Sequence, residues 1–228
     1  SGIELIGDGS AQADLEVLTM AVEALRRSKL NSFSFEIGHA GFFRAILEDM
    51  DIEQSVKSEI CSLTESKNYA ALSDLLDSIG DTVQTKVLHR LPRLFGGEEV
   101  LEKAKKLYSG EKSDAALDYL GNIYEKLCAL GLKDNIIIDL GLVNRSNYYT
   151  GVIFRGYAEG SGVTVLSGGR YDNLVGEFGL DAPAIGFAVD VNALCDVMHE
   201  IINVERPLRI ALTKGTLEKT YMRQYQKK

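Results

Sequence analysis

A long stretch without strands constrains this chain more than any other feature. From Asp51 to Leu132 the sequence carries helical runs and repeated stop signals, yet strand-like segments lie on both sides of it. Ile52, Val56, Ile60 and Leu63 mark one helical stripe, and Leu72, Leu75, Leu76 and Ile79 mark another, closed by Gly80. Asp81 is placed to cap the next helix, Pro92 to interrupt or end it, and Gly96-Gly97 to break the chain again. Residues 98–108 and 113–130 read as further helices, the second with Leu117, Leu120, Tyr124 and Leu127 inward and Gly131 as its stop. No strand is expected in this block. It reads as a helical insertion between two strand-bearing parts of one core.

The flanks supply the sheet. Ile3 to Ile6 is a short apolar piece, after which Asp14 is expected to open a helix carrying Leu18, Val22 and Leu25 and ending near Ser28. Phe33, Phe35 and Ile37 alternate with polar residues as a half-buried strand does, Gly38-His39-Ala40-Gly41 reads as a turn, and a helix resumes over 42–50. Strands are expected again at 136–140, 151–158, 163–167 and 184–189, with Gly160-Ser161-Gly162 turning a hairpin. A helix over 191–203, a strand over 208–212 and a basic helix over 217–228 complete the chain. Hairpin connections imply an antiparallel sheet with helices packed on it, an α+β fold. The expected division is 1–50 and 133–205 for the two parts of the core, 51–132 for the insertion, and 206–228 for a strand-helix tail, which can open a further domain.

Composition narrows the function. With 45% hydrophobic and 25% charged residues in 228, the chain has the balance of a soluble globular protein, and no apolar run reaches the ~20 residues of a membrane helix. Cytoplasmic location is the default and no membrane partner is expected. A net charge of -8 argues against a surface built to grip phosphate backbones, so nucleic acid is not an expected partner. Cys61, Cys128 and Cys195 and the three histidines are scattered without metal-ligand spacing, so neither a metal nor a cofactor is implied.

Three short stretches carry chemical information. In Asn147-Tyr148-Tyr149-Thr150-Gly151, two tyrosines at a strand start are expected to point to opposite faces, one inward and one lining a cavity. In Ser167-Gly168-Gly169-Arg170-Tyr171-Asp172, paired glycines allow close backbone approach. Arg170 behind them either pairs with a ligand carboxylate or phosphate, or braces a tight turn. In Ala182-Pro183-Ala184-Ile185-Gly186-Phe187-Ala188, the small residues leave room for a ligand to lie flat. No phosphate-binding GxxxxGK[ST] and no dinucleotide fingerprint is present.

In this order, together with Gly2-Ile3-Glu4-Leu5-Ile6-Gly7 and Gly38-His39-Ala40-Gly41-Phe42-Phe43-Arg44, these stretches resemble the class II histidyl-tRNA synthetase core. They also resemble its non-synthetase paralogue, the regulatory subunit of ATP phosphoribosyltransferase. The likeness runs to about Leu194 and implies a class II aminoacyl-tRNA synthetase-like antiparallel sheet with a helical insertion. It implies that Glu4 reads one imidazole nitrogen of histidine and Tyr149 contacts the other, with Tyr148, Arg170 and Tyr171 lining the pocket. Relative to the family pattern, the chain starts after the dimer-forming first motif and part of the second, so the expectation is either a fragment or a numbering that omits an N-terminal half.

The nucleotide half departs from the synthetases. Their Arg-Gly-Leu-Asp-Tyr-Tyr reads Asn144-Arg145-Ser146-Asn147-Tyr148-Tyr149 here, and their Gly-Leu-Glu-Arg reads Asp190-Val191-Asn192-Ala193. Two cations that would steady a phosphoryl transition state are replaced, which is worth several kcal/mol of barrier. The expectation is therefore a non-catalytic regulatory subunit. It would sense free histidine and pass feedback inhibition to the catalytic subunit of ATP phosphoribosyltransferase, as a homodimer within a hetero-oligomer. Two alternatives stay open: a divergent histidyl-tRNA synthetase using Arg145, and a synthetase-like protein repurposed for another amino acid or for translation control. The segment Leu208-Arg209-Ile210-Ala211-Leu212-Thr213-Lys214-Gly215-Thr216 resembles the opening of a short-form catalytic subunit, which would carry Arg where Thr216 stands; an anticodon-binding domain or an unrelated βα unit fits it as well.

Overall fold

The computed structural model describes residues 1–30, 32–144, 148–158 and 162–202. The expected tail, Arg145 and most of the Gly160-Ser161-Gly162 hairpin turn lie outside the described residues.

Seven strands form one sheet in the order β1-β7-β6-β5-β2-β4-β3. They are β1 (Gly2–Ile6), β2 (Phe33–His39), β3 (Phe95–Gly96), β4 (Ile136–Asp139), β5 (Val152–Ala158), β6 (Thr164–Arg170) and β7 (Ala184–Val189). The helices are α1 (Ala11–Arg27), α2 (Ala40–Glu48), α3 (Gln54–Glu65), α4 (Tyr69–Ile79), α5 (Val83–Arg90), α6 (Glu99–Leu107), α7 (Glu111–Ala129) and α8 (Val191–Ile202). The α+β expectation holds, with one correction to the sheet. β2 and β4 run parallel, joined through the helical stretch as a crossover, so the sheet is mixed.

Several boundaries move for identifiable reasons. α1 begins at Ala11 rather than Asp14, because the Ser10 side chain accepts from the Ala13 N–H and caps the helix. Gly38 and His39 are not a turn. They extend β2, and His39 Nδ1 accepts the Gly41 N–H at 3.1 Å, so α2 starts at once. Thr82, not Asp81, caps α5, in a reciprocal box with Thr85. The block expected to lack strands contains β3, whose two residues pair antiparallel with β4. Gly80 does close α4, at φ 112°.

The two faces of the sheet differ in kind. Phe35, Ile37, Phe154 and Ile185 point to one face and are fully buried, where α1 and α7 cover them. One apolar cluster joins these residues to Ile60, Leu72, Leu76, Val87 and Leu88 of the helical stretch. The opposite face carries small and polar residues. The registers Glu4↔Gly186, Gly186↔Gly169 and Gly169↔Ile153 make one cross-strand row on it, and Ser167↔Arg155 and Arg155↔Glu36 make another.

Candidate functional site

Strand alternation decides which motif residues meet. Arg170 and Tyr171 are sequence neighbours, so they leave the sheet on opposite sides. Tyr171 lies on the face of Gly169, where its hydroxyl donates a short hydrogen bond to Glu4 Oε2. The Glu4 carboxylate lies directly over Gly186, and any side chain there would displace it. Gly186 therefore makes room for Glu4, rather than for a ligand lying directly on the strand as its small-residue context had suggested.

Tyr148 and Tyr149 precede β5 in extended coil, and the expectation that they face opposite ways is wrong. Their rings pack with centroids 4.2 Å apart, and Tyr148 sits edge-on to Tyr171 at 6.2 Å. Gly169 lets this happen. A β-carbon on it would lie 2.7 Å from two ring carbons of Tyr149. Four of the five expected residues, Glu4, Tyr148, Tyr149 and Tyr171, thus form one cluster above a glycine floor. Burial raises the Tyr149 and Tyr171 hydroxyls well above the ordinary phenol range, with the Tyr148 hydrogen bond and the Glu4 carboxylate as the respective next causes. Both stay protonated donors at neutral pH.

Arg170 is placed elsewhere. Its guanidinium meets the wholly buried Asp14 of α1, with Nε at 2.8 Å and Nη2 at 2.5 Å from Oδ1, and Nη1 lies 2.8 Å from Asp172 Oδ1. Tyr119 of α7 donates to the other Asp14 oxygen at 2.5 Å, and the Asp8 and Ser10 carbonyls accept from the remaining guanidinium donors. Of its two expected readings, the bracing one describes these contacts. The glycines before Arg170 do not make a turn, however; they lie inside β6.

The brace reaches the tyrosines. Thr150 N–H donates to the Arg170 carbonyl at 2.7 Å, its hydroxyl lies 3.0 Å from Asp172 Oδ2, and Asp172 N–H donates back to that hydroxyl at 3.1 Å. Tyr148-Tyr149 and Tyr171 are thereby pinned to one another through backbone neighbours. Arg44 Nη2 adds a 2.6 Å hydrogen bond to the Tyr149 carbonyl. His39 lies alongside, edge-on to Tyr119 at 5.6 Å; burial, with Arg44 nearby, lowers its imidazole from 6.5 to about 4.

On the nucleotide side, Asp190 accepts the Ala193 N–H at 2.9 Å and its carbonyl accepts from Leu194, so it caps α8. Ala193 packs against the core cluster where the synthetases carry their second arginine.

The motifs gave no sign of a second polar group on the same face. Glu36, Asp139, Tyr157, Arg155 and Lys67 gather beneath the α3–α4 turn. Lys67 Nζ lies 3.9 Å from Asp139 Oδ2, and Glu36 Oε2 is buried without a hydrogen-bond partner. Burial raises both carboxyls above their ordinary range. Alternation in β2 put Glu36 on this face, but Lys67 and, much further along the chain, Asp139, Arg155 and Tyr157 lie beyond the reach of a local pattern.

Comparison with known proteins places this geometry. The family model described as histidyl-tRNA synthetase matches residues 1–194. A protein of Clostridium acetobutylicum named ATP phosphoribosyltransferase regulatory subunit is 40% identical over 97% of this chain and 56% of its own length. One of the same name from Bacillus cereus is 41% identical over 88% of this chain and 48% of its own. A crystal structure described as an ATP phosphoribosyltransferase regulatory subunit/histidyl-tRNA synthetase from Bacillus halodurans superposes with a TM-score of 0.80 at 37% identity, covering 86% of this chain and 52% of that one. The chain spans about half the length of the curated relatives it matches.

Proposed function

The chain belongs to the histidyl-tRNA synthetase family, and we propose that within it the protein is a regulatory subunit of ATP phosphoribosyltransferase that binds free histidine and forms no adenylate. The observation that carries this reading is an uneven site. The cluster of Glu4, Tyr149 and Tyr171 over Gly169 and Gly186 is assembled, while Asn144, Asp190 and Ala193 occupy the positions where the synthetases hold a triphosphate.

The chemistry is specific to an imidazole. Glu4 offers only acceptors, and the Tyr149 hydroxyl, which hydrogen-bonds Tyr148 here, offers a donor when it turns from Tyr148 to a ligand; together they match the N–H and the bare nitrogen of one neutral imidazole tautomer. A ligand without an acceptor nitrogen leaves the buried Tyr149 hydroxyl without that partner, which penalises it far more than a missing methylene would. Arg170 acts behind the pocket, positioning Tyr171 and Thr150.

Regulation follows by linkage. Histidine bound more tightly in one assembly state shifts the population of that state, and so the activity of the catalytic subunit of ATP phosphoribosyltransferase associated with it. The relatives' names support that partner, and the assembly is proposed to be built on homodimers of this subunit.

Titration calorimetry on the full-length protein tests the ligand: histidine binds, histidinol and apolar amino acids bind more weakly or not at all, and Tyr149→Phe weakens histidine about tenfold. Unchanged affinity in Tyr149→Phe removes that residue from recognition. ATP–pyrophosphate exchange dependent on histidine would establish instead the divergent synthetase.

A further inference from the structure

A groove of about 750 Å³ lies between α2, α3, Val143-Asn144, Tyr149 and Ile153, next to the tyrosine cluster. Phe43, Val143, Tyr149 and Ile153 give it apolar walls, and Arg44 and Lys57 line it with positive charge. Its size suits a small planar ligand.

Among the described residues neither Arg44 nor Lys57 forms an ion pair, as is also true of Arg90, Arg93 and Arg155; what sets the two apart is that both line one groove. Two acidic residues also line the groove. Glu48 is engaged by Lys112 at 2.6 Å, and Glu59 is exposed on α3. Arg44 is part-buried, and among the described residues its side chain makes one hydrogen bond, from Nη2 to the Tyr149 carbonyl. Its other guanidinium donors are left for a partner that accepts, and an anion is the strongest such partner in a partly desolvated groove.

We infer that this groove is a second ligand site, which takes a small aromatic anion with a phosphate or carboxylate head held by Arg44 and Lys57. The ring lies against Phe43, Tyr149 and Ile153. Because Arg44 also holds the Tyr149 carbonyl, an anion that draws its guanidinium alters the backbone that presents the Tyr149 ring. The two sites are therefore coupled, and the coupling rests on the histidine-binding reading above; the groove itself does not.

Phenyl phosphate, benzoate and phenol, titrated into the full-length protein by calorimetry or ligand-observed NMR, test the site. The expected result is saturable 1:1 binding of at least one anion, at least tenfold tighter than phenol and weakening as salt rises. Tighter phenyl phosphate than benzoate assigns a phosphate head, and the reverse a carboxylate. Lys57→Gln and, separately, Ser58→Glu on the exposed side of α3 should weaken that anion at least fivefold while the thermal midpoint stays within a degree or two. No saturable binding of either anion, phenol equal to both, or unchanged affinity in both folded variants would overturn the site. Where histidine binds, its dissociation constant should shift at least threefold on saturation with the anion; an unchanged constant overturns the coupling. Absence of histidine binding with the anion still bound overturns the histidine reading and the coupling with it, and leaves the groove standing.

Discussion

Replacing Gly169 by alanine tests the tyrosine cluster at its floor. The added methyl would sit 2.7 Å from two Tyr149 ring carbons and 2.8 Å from the Val152 carbonyl oxygen, where ordinary contact begins at about 3.5 Å. The carbonyl belongs to the neighbouring strand and cannot retreat without loosening the Ile153↔Gly169 pairing, so the ring must move, by roughly 1 Å. Overpacking of this kind costs about 1–3 kcal/mol of stability. A hydroxyl displaced by that much no longer makes its hydrogen bond, and histidine affinity should fall at least tenfold, which is about 1.4 kcal/mol. Gly156→Ala is the control. Its methyl would lie 2.6 Å from a Leu25 methyl carbon on the opposite face, lowering stability without touching the tyrosines or the Gly186 strand beneath Glu4. Urea unfolding and calorimetry read the two effects separately. Wild-type histidine affinity in folded Gly169→Ala, or an equal loss in folded Gly156→Ala, would refute the assignment of that face to the ligand.

Three further outcomes follow from the buried polar groups. Arg170→Met leaves the fully buried Asp14 without its cation and should cost about 3–5 kcal/mol in guanidinium unfolding, part of it recovered in the Asp14→Asn/Arg170→Met double variant; a loss below 1 kcal/mol would contradict the bracing role. The folded protein holds His39 neutral to about pH 4 while the unfolded chain protonates near 6.5, so stability should fall as pH drops through that window, by up to about 3 kcal/mol; His39→Asn, which can keep the cap, should remove this slope, and an unchanged slope would exclude His39 as its source. Burial raises the Glu36 carboxyl, so the folded state keeps that proton longer than the unfolded chain and loses stability as pH rises past the ordinary glutamate range; Glu36→Gln should be more stable at pH 7, by on the order of 1 kcal/mol, and a lower thermal midpoint there would refute the reasoning.

Much of this fold is written locally. The spacing of Val56, Ile60 and Leu63, the stop at Gly80 and the alternation of Phe33, Phe35 and Ile37 each specify an element from within a few residues, although Ile52 falls before α3 begins. What escaped was non-local or used unusual residues. Nothing near Ile136 reveals that its neighbour is Phe35, in parallel, across the whole helical stretch. A histidine cap at His39 is a rare solution, and a glycine beside it reads as a turn until the ring nitrogen is seen to accept from Gly41. At the site, the motif residues were legible as a set, but not which would meet. Treating Ser167-Gly168-Gly169-Arg170 as the end of a strand obscured the alternation that sends Arg170 to Asp14 and Tyr171 to Glu4. The groove was not legible, because Arg44 and Tyr149 stand in two separate motifs, Lys57 in none, and nothing local joins the three.

The pairing of β1 with β7 has a consequence for the order of events during synthesis. Glu4 leaves the ribosome among the first residues of this segment, yet its strand finds its partner only after Val189 has been made. Until then the first strand has no ladder, and the carboxylate has no tyrosine to meet. Contacts spanning so much sequence form late in folding. If the proposed histidine site is this cluster, a nascent chain can hold the amino acid only once almost all of the described segment has emerged.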